Sequence, residues 1–144
     1  MGNGFERLHV ELARYDGPRA GLADVDGVVH YFKHLEFAPG VQDGDFLVWD
    51  ASPEAVALER EQLAIFVDWR ERFDEGLATA GEHPGHGGVD ARYDELQGLL
   101  EPARVPPDDA RRMFGETRIM DEDRYTLAGS GDEIRWSRAH QGTR

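Results

Sequence analysis

Apolar and polar residues alternate with a period of two through the first third of the chain, and the breaks between the alternating runs mark where strands start and stop. Over residues 5–15, Leu8, Val10 and Leu12 alternate with His9 and Glu11, the pattern of a strand with one wet face. Asp16-Gly17-Pro18 then interrupts the chain. Asp26-Gly27 separates 20–25 from 28–37 and supplies the two positive-φ positions of a type I′ hairpin turn. With that turn, Val25 lies opposite Val28, Ala23 opposite His30 and Gly21 opposite Phe32, while Leu22 and Tyr31 point to the other side. Both faces therefore carry apolar groups, and each needs partial cover. After a loop over 39–44, Phe46-Leu47-Val48-Trp49 reads as a buried fourth strand.

The period then changes to that of a helix. Ser52-Pro53-Glu54 combines a hydroxyl cap, a proline at the first helical position and a carboxylate near the positive end of the helix dipole. Leu58, Gln62, Ile65, Phe66, Trp69, Phe73 and Leu77 follow at three- and four-residue steps, which predicts a long amphipathic helix over 53–77 packed across the sheet. Burial of Trp69 and Phe73 would contribute roughly 2–3 kcal/mol each. Glycines and Pro84 make 78–89 a loop. Asp90 caps a shorter helix carrying Tyr93, Leu96, Leu99 and Leu100 and ended by Pro102, and a further short helix is expected from Pro107 to Gly115, so that 90–115 is a region of short helices. Tyr125-Thr126-Leu127 and Ile134-Arg135-Trp136 flank Gly129-Ser130-Gly131-Asp132 and read as a hairpin within 117–138, followed by a frayed tail over 139–144. The expected fold is α+β: a four-stranded antiparallel sheet, six-stranded if the C-terminal hairpin joins it, with one long amphipathic helix and two shorter ones. No linker or repeat divides the 144 residues, and 1–144 is read as a single domain, long enough to bury about two-thirds of its unfolded surface.

Charge narrows the partners. With 29 acidic and 16 basic residues the formal charge is −13, which repels phosphate backbones and anionic lipid, so neither nucleic acid nor membrane is expected as a partner. The acidity fits solubility in general, or a surface matched to a basic protein, as in inhibitors and immunity proteins. Cysteine is absent, which removes disulfides, thiolate metal sites and cysteine nucleophiles and fits a reducing cytoplasm. The first residues lack a basic segment followed by an apolar run, and no stretch of eighteen apolar residues occurs, so a cytoplasmic location is expected.

Candidate chemistry is sparse. His83-Pro84-Gly85-His86 places two imidazoles three residues apart in a glycine-rich loop, where they could chelate zinc or another divalent transition metal, with Glu82 and Asp90 as the only nearby additions. His30 and His34 share a strand face, with His9 on a neighbouring strand; a structural role for these is the plainer reading. Paired carboxylates such as Asp43/Asp45, Asp108/Asp109 and Asp121/Glu122/Asp123 fall in expected loops and stay hydrated. Ser52, Ser130 and Ser137 sit in no G-x-S-x-G elbow, and the Gly85–Gly88 stretch lacks the lysine and the strand-to-helix setting of a phosphate loop. Arg19, placed after Gly17-Pro18 at a strand entrance, could hold a carboxylate or phosphate, or pair internally with one of the many acids.

Tyr15-Asp16-Gly17-Pro18-Arg19-Ala20-Gly21, the later Gly27 and His30-Tyr31-Phe32, the Trp69 helix, His83-Pro84 and Asp90-Ala91-Arg92-Tyr93-Asp94-Glu95-Leu96 together resemble a group of small uncharacterised bacterial proteins. The resemblance covers roughly residues 15–102, with alanine at position 20 where the group has serine. It implies a bacterial origin and a compact single domain and transfers no functional residue. The residues point away from an enzyme and call for no cofactor. They fit a non-catalytic acidic protein-interaction module, an inhibitor or immunity-type protein covering a basic partner surface, with Arg19, Tyr31, His34, His83 and His86 as the contact surface. The alternative is a small metal-binding protein or metal-dependent enzyme using His30, His34, His83 and His86. A third reading is a ligand pocket bordered by Trp69, Phe66 and Phe32.

Overall fold

The computed structural model describes residues 4–14, 18–35, 43–119, 126–127 and 129–138. The break at Tyr15-Asp16-Gly17, most of the loop over 39–44, the acidic run Asp121-Glu122-Asp123, Tyr125 and the tail over 139–144 lie outside the described residues. Strands β1 (Glu6–Arg14), β2 (Pro18–Val25), β3 (Val28–His34), β4 (Gly44–Asp50), β5 (Arg111–Arg118) and β6 (Glu133–Arg138) form an antiparallel sheet that closes into a barrel in sequential order. Between β4 and β5 the chain forms α1 (Pro53–Asp74) and α2 (Ala91–Leu100), which belong to a second compact unit built on Ser52–Val105. The fold is therefore mixed α and β. No described helix is long and apolar enough to cross a membrane.

The β2–β3 hairpin turns where the Asp-Gly pair requires it, with φ of 54° at Asp26 and 80° at Gly27. Both backbone N–H groups of the turn donate to the Glu6 carboxylate, at 3.0 and 2.8 Å. Its register matches the expectation, with Val25 opposite Val28, Ala23 opposite His30, Gly21 opposite Phe32 and Leu22 opposite Tyr31. One face of this hairpin lines the barrel interior. Leu8, Ala23, Val25, Phe32, Phe46, Val48, Ile134 and Trp136 form a continuous buried cluster there, with Met113 against it. Phe46 meets Trp136 edge to face at 5.5 Å, and Phe32 at 5.8 Å. The interior is a packed core. Pairing of Glu6 with Ile134 and Arg7 with Glu133 completes the ring and removes both sheet edges.

In the helical unit, Ser52 caps α1 by accepting from the Ala55 N–H at 3.0 Å. The helix stops at Asp74, three residues short of the expected end, because Gly76 enters the left-handed region at φ 78°. The N–H groups of Gly76 and Leu77 then return to the carbonyls of Phe73 and Arg72, the paired bonds of a Schellman stop. Asp90 caps α2 through the Tyr93 N–H, and Leu96 and Leu100 are its buried residues. Two short 3₁₀ turns, Ala80–Glu82 and Pro84–His86, occupy the expected loop.

Three expectations are corrected. The sheet has six strands and is closed, where four with an optional pair were expected. Residues 107–115 form no helix: from Arg111 they enter β5, which pairs with β4 on one side and β6 on the other. The Pro-Asp-Asp start signal is local, whereas β5 is stabilised by partners 15 to 71 residues distant in sequence, such as Gly44 and Trp136 opposite Gly115. The expected C-terminal hairpin changes partner accordingly. Ile134-Arg135-Trp136 lies in β6 as expected, but β6 pairs with β5 and β1, and Thr126 and Leu127 are in no strand.

At Gly115 core side chains press directly on the backbone. A Cβ there would sit 2.7 Å from Cδ1 of Ile134 and 2.8 Å from Cε1 of Phe46. Gly115→Ala is expected to destabilise the protein by about 1–3 kcal/mol in urea unfolding, the usual cost of overpacking a filled core.

Candidate functional site

Three polar constellations stand out among the described residues. The first lies at one end of the barrel. Glu11 shares a ladder position with Gly21 and Phe32 and so faces inward, and its Oε2 accepts a 2.5 Å hydrogen bond from Ser130 Oγ. Ser130 Oγ in turn accepts from the Asp132 N–H at 3.1 Å, and all three residues are buried. His34, opposite Phe46, packs its ring edge to face at 4.4 Å on the Phe46 ring. Arg19 has the same inward parity on β2, and its Nη1 and the His34 Nε2 are shielded from solvent. Ser130 donates to a carboxylate and accepts from the backbone, so this group ties β1 to the segment that leads into β6.

The second surrounds His30, which is buried with its Nδ1–H donating to the Val28 carbonyl at 2.7 Å. That bond leaves Nε2 to face Asp50 Oδ1 at 3.1 Å and Arg111 Nη2 at 3.3 Å. Neutral His30 accepts from Arg111; protonated His30 donates to Asp50. A shallow cleft of about 330 Å³ beside it is lined by Val48, Trp49, Asp50, Pro107, Asp109 and Arg111. On the outer face of the barrel, His9 Nε2 meets Asp24 Oδ1 at 2.7 Å.

The third is built inside the helical unit. Trp69 is buried, its indole N–H donates to the Thr79 carbonyl at 3.1 Å, and Phe73 stacks on it at 5.0 Å. Phe66 and His83 approach the same indole at 5.9 and 4.6 Å. Phe73 itself is 42% exposed and Leu77 69%, so Trp69 is the last buried member of the α1 stripe, against the expectation of a buried Phe73. Beside Trp69 runs a groove of about 200 Å³ lined by Ile65, Asp68, Arg72, Glu82, Pro84, Val89 and Asp90.

The unit is held by a buried ion pair. Glu59 is 1% exposed, and Arg104 grips both its oxygens, at 2.7 and 2.9 Å. The same guanidinium donates to Gln62 Oε1 at 2.6 Å and to Gln97 Oε1 at 3.1 Å, and Gln62 donates to Gln97 at 3.0 Å. On the surface Arg92 forks onto Glu61 at 2.7 and 2.9 Å and reaches Glu95 at 2.8 Å. The hydrogen bond from Arg92 lowers the Glu61 carboxyl below its ordinary range, and the bonds to Glu61 and Glu95 raise Arg92 further above its own. Burial raises the Tyr93 phenol above its ordinary value of 10.0.

Of the residues expected to form a contact surface, Arg19, Tyr31 and His34 belong to the barrel and His83 and His86 to the helical unit. Arg19 and His34 share the inward face. Tyr31 points outward and stacks on Trp49 at 5.5 Å. His83 and His86 lie side by side, ring centres 5.3 Å apart. Their nitrogens work locally: His83 Nδ1 accepts from the Gly85 N–H at 2.8 Å, and His86 Nε2 donates to the Ala80 carbonyl at 3.1 Å. Among the described residues no group of three or more histidines and acids is placed to hold a metal ion. The Glu59–Arg104 pair and the groove escape sequence reasoning; the one signal is Gln62, a polar residue inside the apolar stripe of α1. Comparison with protein-family models, curated proteins and solved structures finds no match.

Two outcomes test this construction. Arg104→Ala strands the Glu59 charge and is expected to cost about 3–5 kcal/mol in urea unfolding, with Glu59→Ala/Arg104→Ala less destabilised than Arg104→Ala alone. The raised Tyr93 phenol contributes stability that is present below pH 10.0 and lost as pH climbs through the folded-state value. Ultraviolet titration of Tyr93→Phe against the wild type should show the missing phenol ionising above 10.0.

Proposed function

We propose that the protein is a non-catalytic, acidic protein-interaction module of inhibitor or immunity type that covers a basic surface on a partner protein. One observation carries this reading: the helical unit holds four of its five arginines in ion pairs of its own and leaves surplus carboxylates in solvent. Residues 52–105 hold 12 acidic and five basic residues. Arg70, Arg72, Arg92 and Arg104 are each held by a carboxylate of the same unit. Glu54, Glu71, Glu75 and Glu101 are exposed, and no ion pair among the described residues uses them. Exposed like charges repel one another and attract a complementary field, which steers encounter with a cationic surface.

Immobilised protein should capture a basic partner from a native bacterial lysate at low salt and release it at about 1 M salt, where the screening length falls to about 3 Å. A variant with Glu54, Glu71, Glu75 and Glu101 changed to glutamine should retain markedly less. Retention indifferent to both salt and these substitutions would defeat the proposal.

A further inference from the structure

Resting on that reading, the geometry points to the groove beside Trp69 as the seat of a single arginine side chain presented by the basic partner. The groove has the two parts such a side chain needs. Its walls are apolar, from Ile65, the edge of Trp69, Pro84 and Val89, and they suit the methylene stem. Its remaining lining is acidic: Asp68, Glu82 and Asp90, against one arginine, Arg72.

The carboxylates have acceptor capacity left over. Glu82 uses only Oε1 to receive the N–H and hydroxyl of Thr79, at 2.8 and 3.3 Å. Asp90 uses only Oδ1, at 2.8 Å, to cap α2. Asp68 gives only Oδ2 to Arg72, at 3.1 Å. Among the described residues one oxygen on each of three carboxylates is therefore left without a hydrogen bond around one small groove, and the single resident guanidinium gives its Nε–H to Asp68. A planar group with five donors can serve acceptors on separate residues at once, whereas a lysine ammonium is a compact point charge. About 200 Å³ admits one long side chain and excludes a folded element. Arg72 competes with the incoming cation for Asp68, so its removal should favour binding.

The full chain is titrated with acetyl-Gly-Arg-Gly-amide and its lysine and citrulline counterparts, following the Trp69 indole N–H and the amides of Glu82 and Val89 by nitrogen–proton NMR. The arginine peptide should give saturable shifts, the lysine peptide weaker ones, and the isosteric but neutral citrulline peptide none. Asp68→Asn/Glu82→Gln/Asp90→Asn should bind about tenfold more weakly, the sum expected of three exposed charge pairs. Asparagine and glutamine keep both caps, so this variant should fold. Arg72→Gln should bind more tightly. The assignment is overturned if the citrulline peptide binds as well as the arginine peptide, if the triple variant binds unchanged, or if magnesium alone shifts these resonances and arginine does not. Salt-sensitive capture of a partner that persists without arginine binding would sink the groove and spare the interaction module; arginine binding without capture would do the reverse.

Discussion

A carboxylate with 1% of its surface exposed has to be answered by a cation, and for Glu59 that cation comes from Arg104, 45 residues later. The demand disciplines the whole helical unit. Arg104 follows α2, so satisfying Glu59 brings the end of α2 back onto α1, and the amides of Gln62 and Gln97 absorb the donors that the carboxylate leaves over. Desolvating two charges is expensive, and the geometry that offsets the cost is a two-pronged fork with its remaining protons occupied. With α1 and α2 packed together in this way, the chain between them folds into two tight turns, and the groove beside Trp69 is the space bounded by α1 and those turns.

The barrel meets a different demand. Its inner residues are large and interlock, and the backbone at Gly115 leaves no room for a methyl group between Phe46 and Ile134. A core packed in this way holds the sheet together from within. Two buried polar groups interrupt it, where Glu11, Ser130 and Asp132 bond to one another and where His30 is shared between Asp50 and Arg111. In the helical unit the balance is different: Arg70, Arg72, Arg92 and Arg104 are held by carboxylates of the same unit, and further carboxylates remain exposed.

Short-range signals in the sequence translate directly into structure. The Asp26-Gly27 turn, the β2–β3 register, the Ser52-Pro53 start of α1 and the Asp90 cap of α2 each depend on residues within a few positions of one another, and each appears where the pattern puts it. Long-range features do not translate. Residues 111–115 carry a helix-like start before them, yet become strand because β4 and β6 offer ladders from far along the chain, and closure of β1 on β6 joins residues more than 120 positions apart. The site follows the same division. Its individual residues are visible as caps or stripe members, but the convergence of Asp68, Glu82 and Asp90 on one groove depends on a fold that no local period encodes. Phe73 has the right spacing for burial, and the helix stop at Gly76 leaves it at the end of the stripe, half in solvent.

Because β4 and β5 are neighbours in the ladder, with Val48 opposite Arg111, the polypeptide that departs after Asp50 returns almost to the rung it left. To the barrel, everything in between is an overgrown hairpin connection. The entropy of closing such an excursion grows only slowly with its length, so its span is a weak constraint on the rungs that flank it.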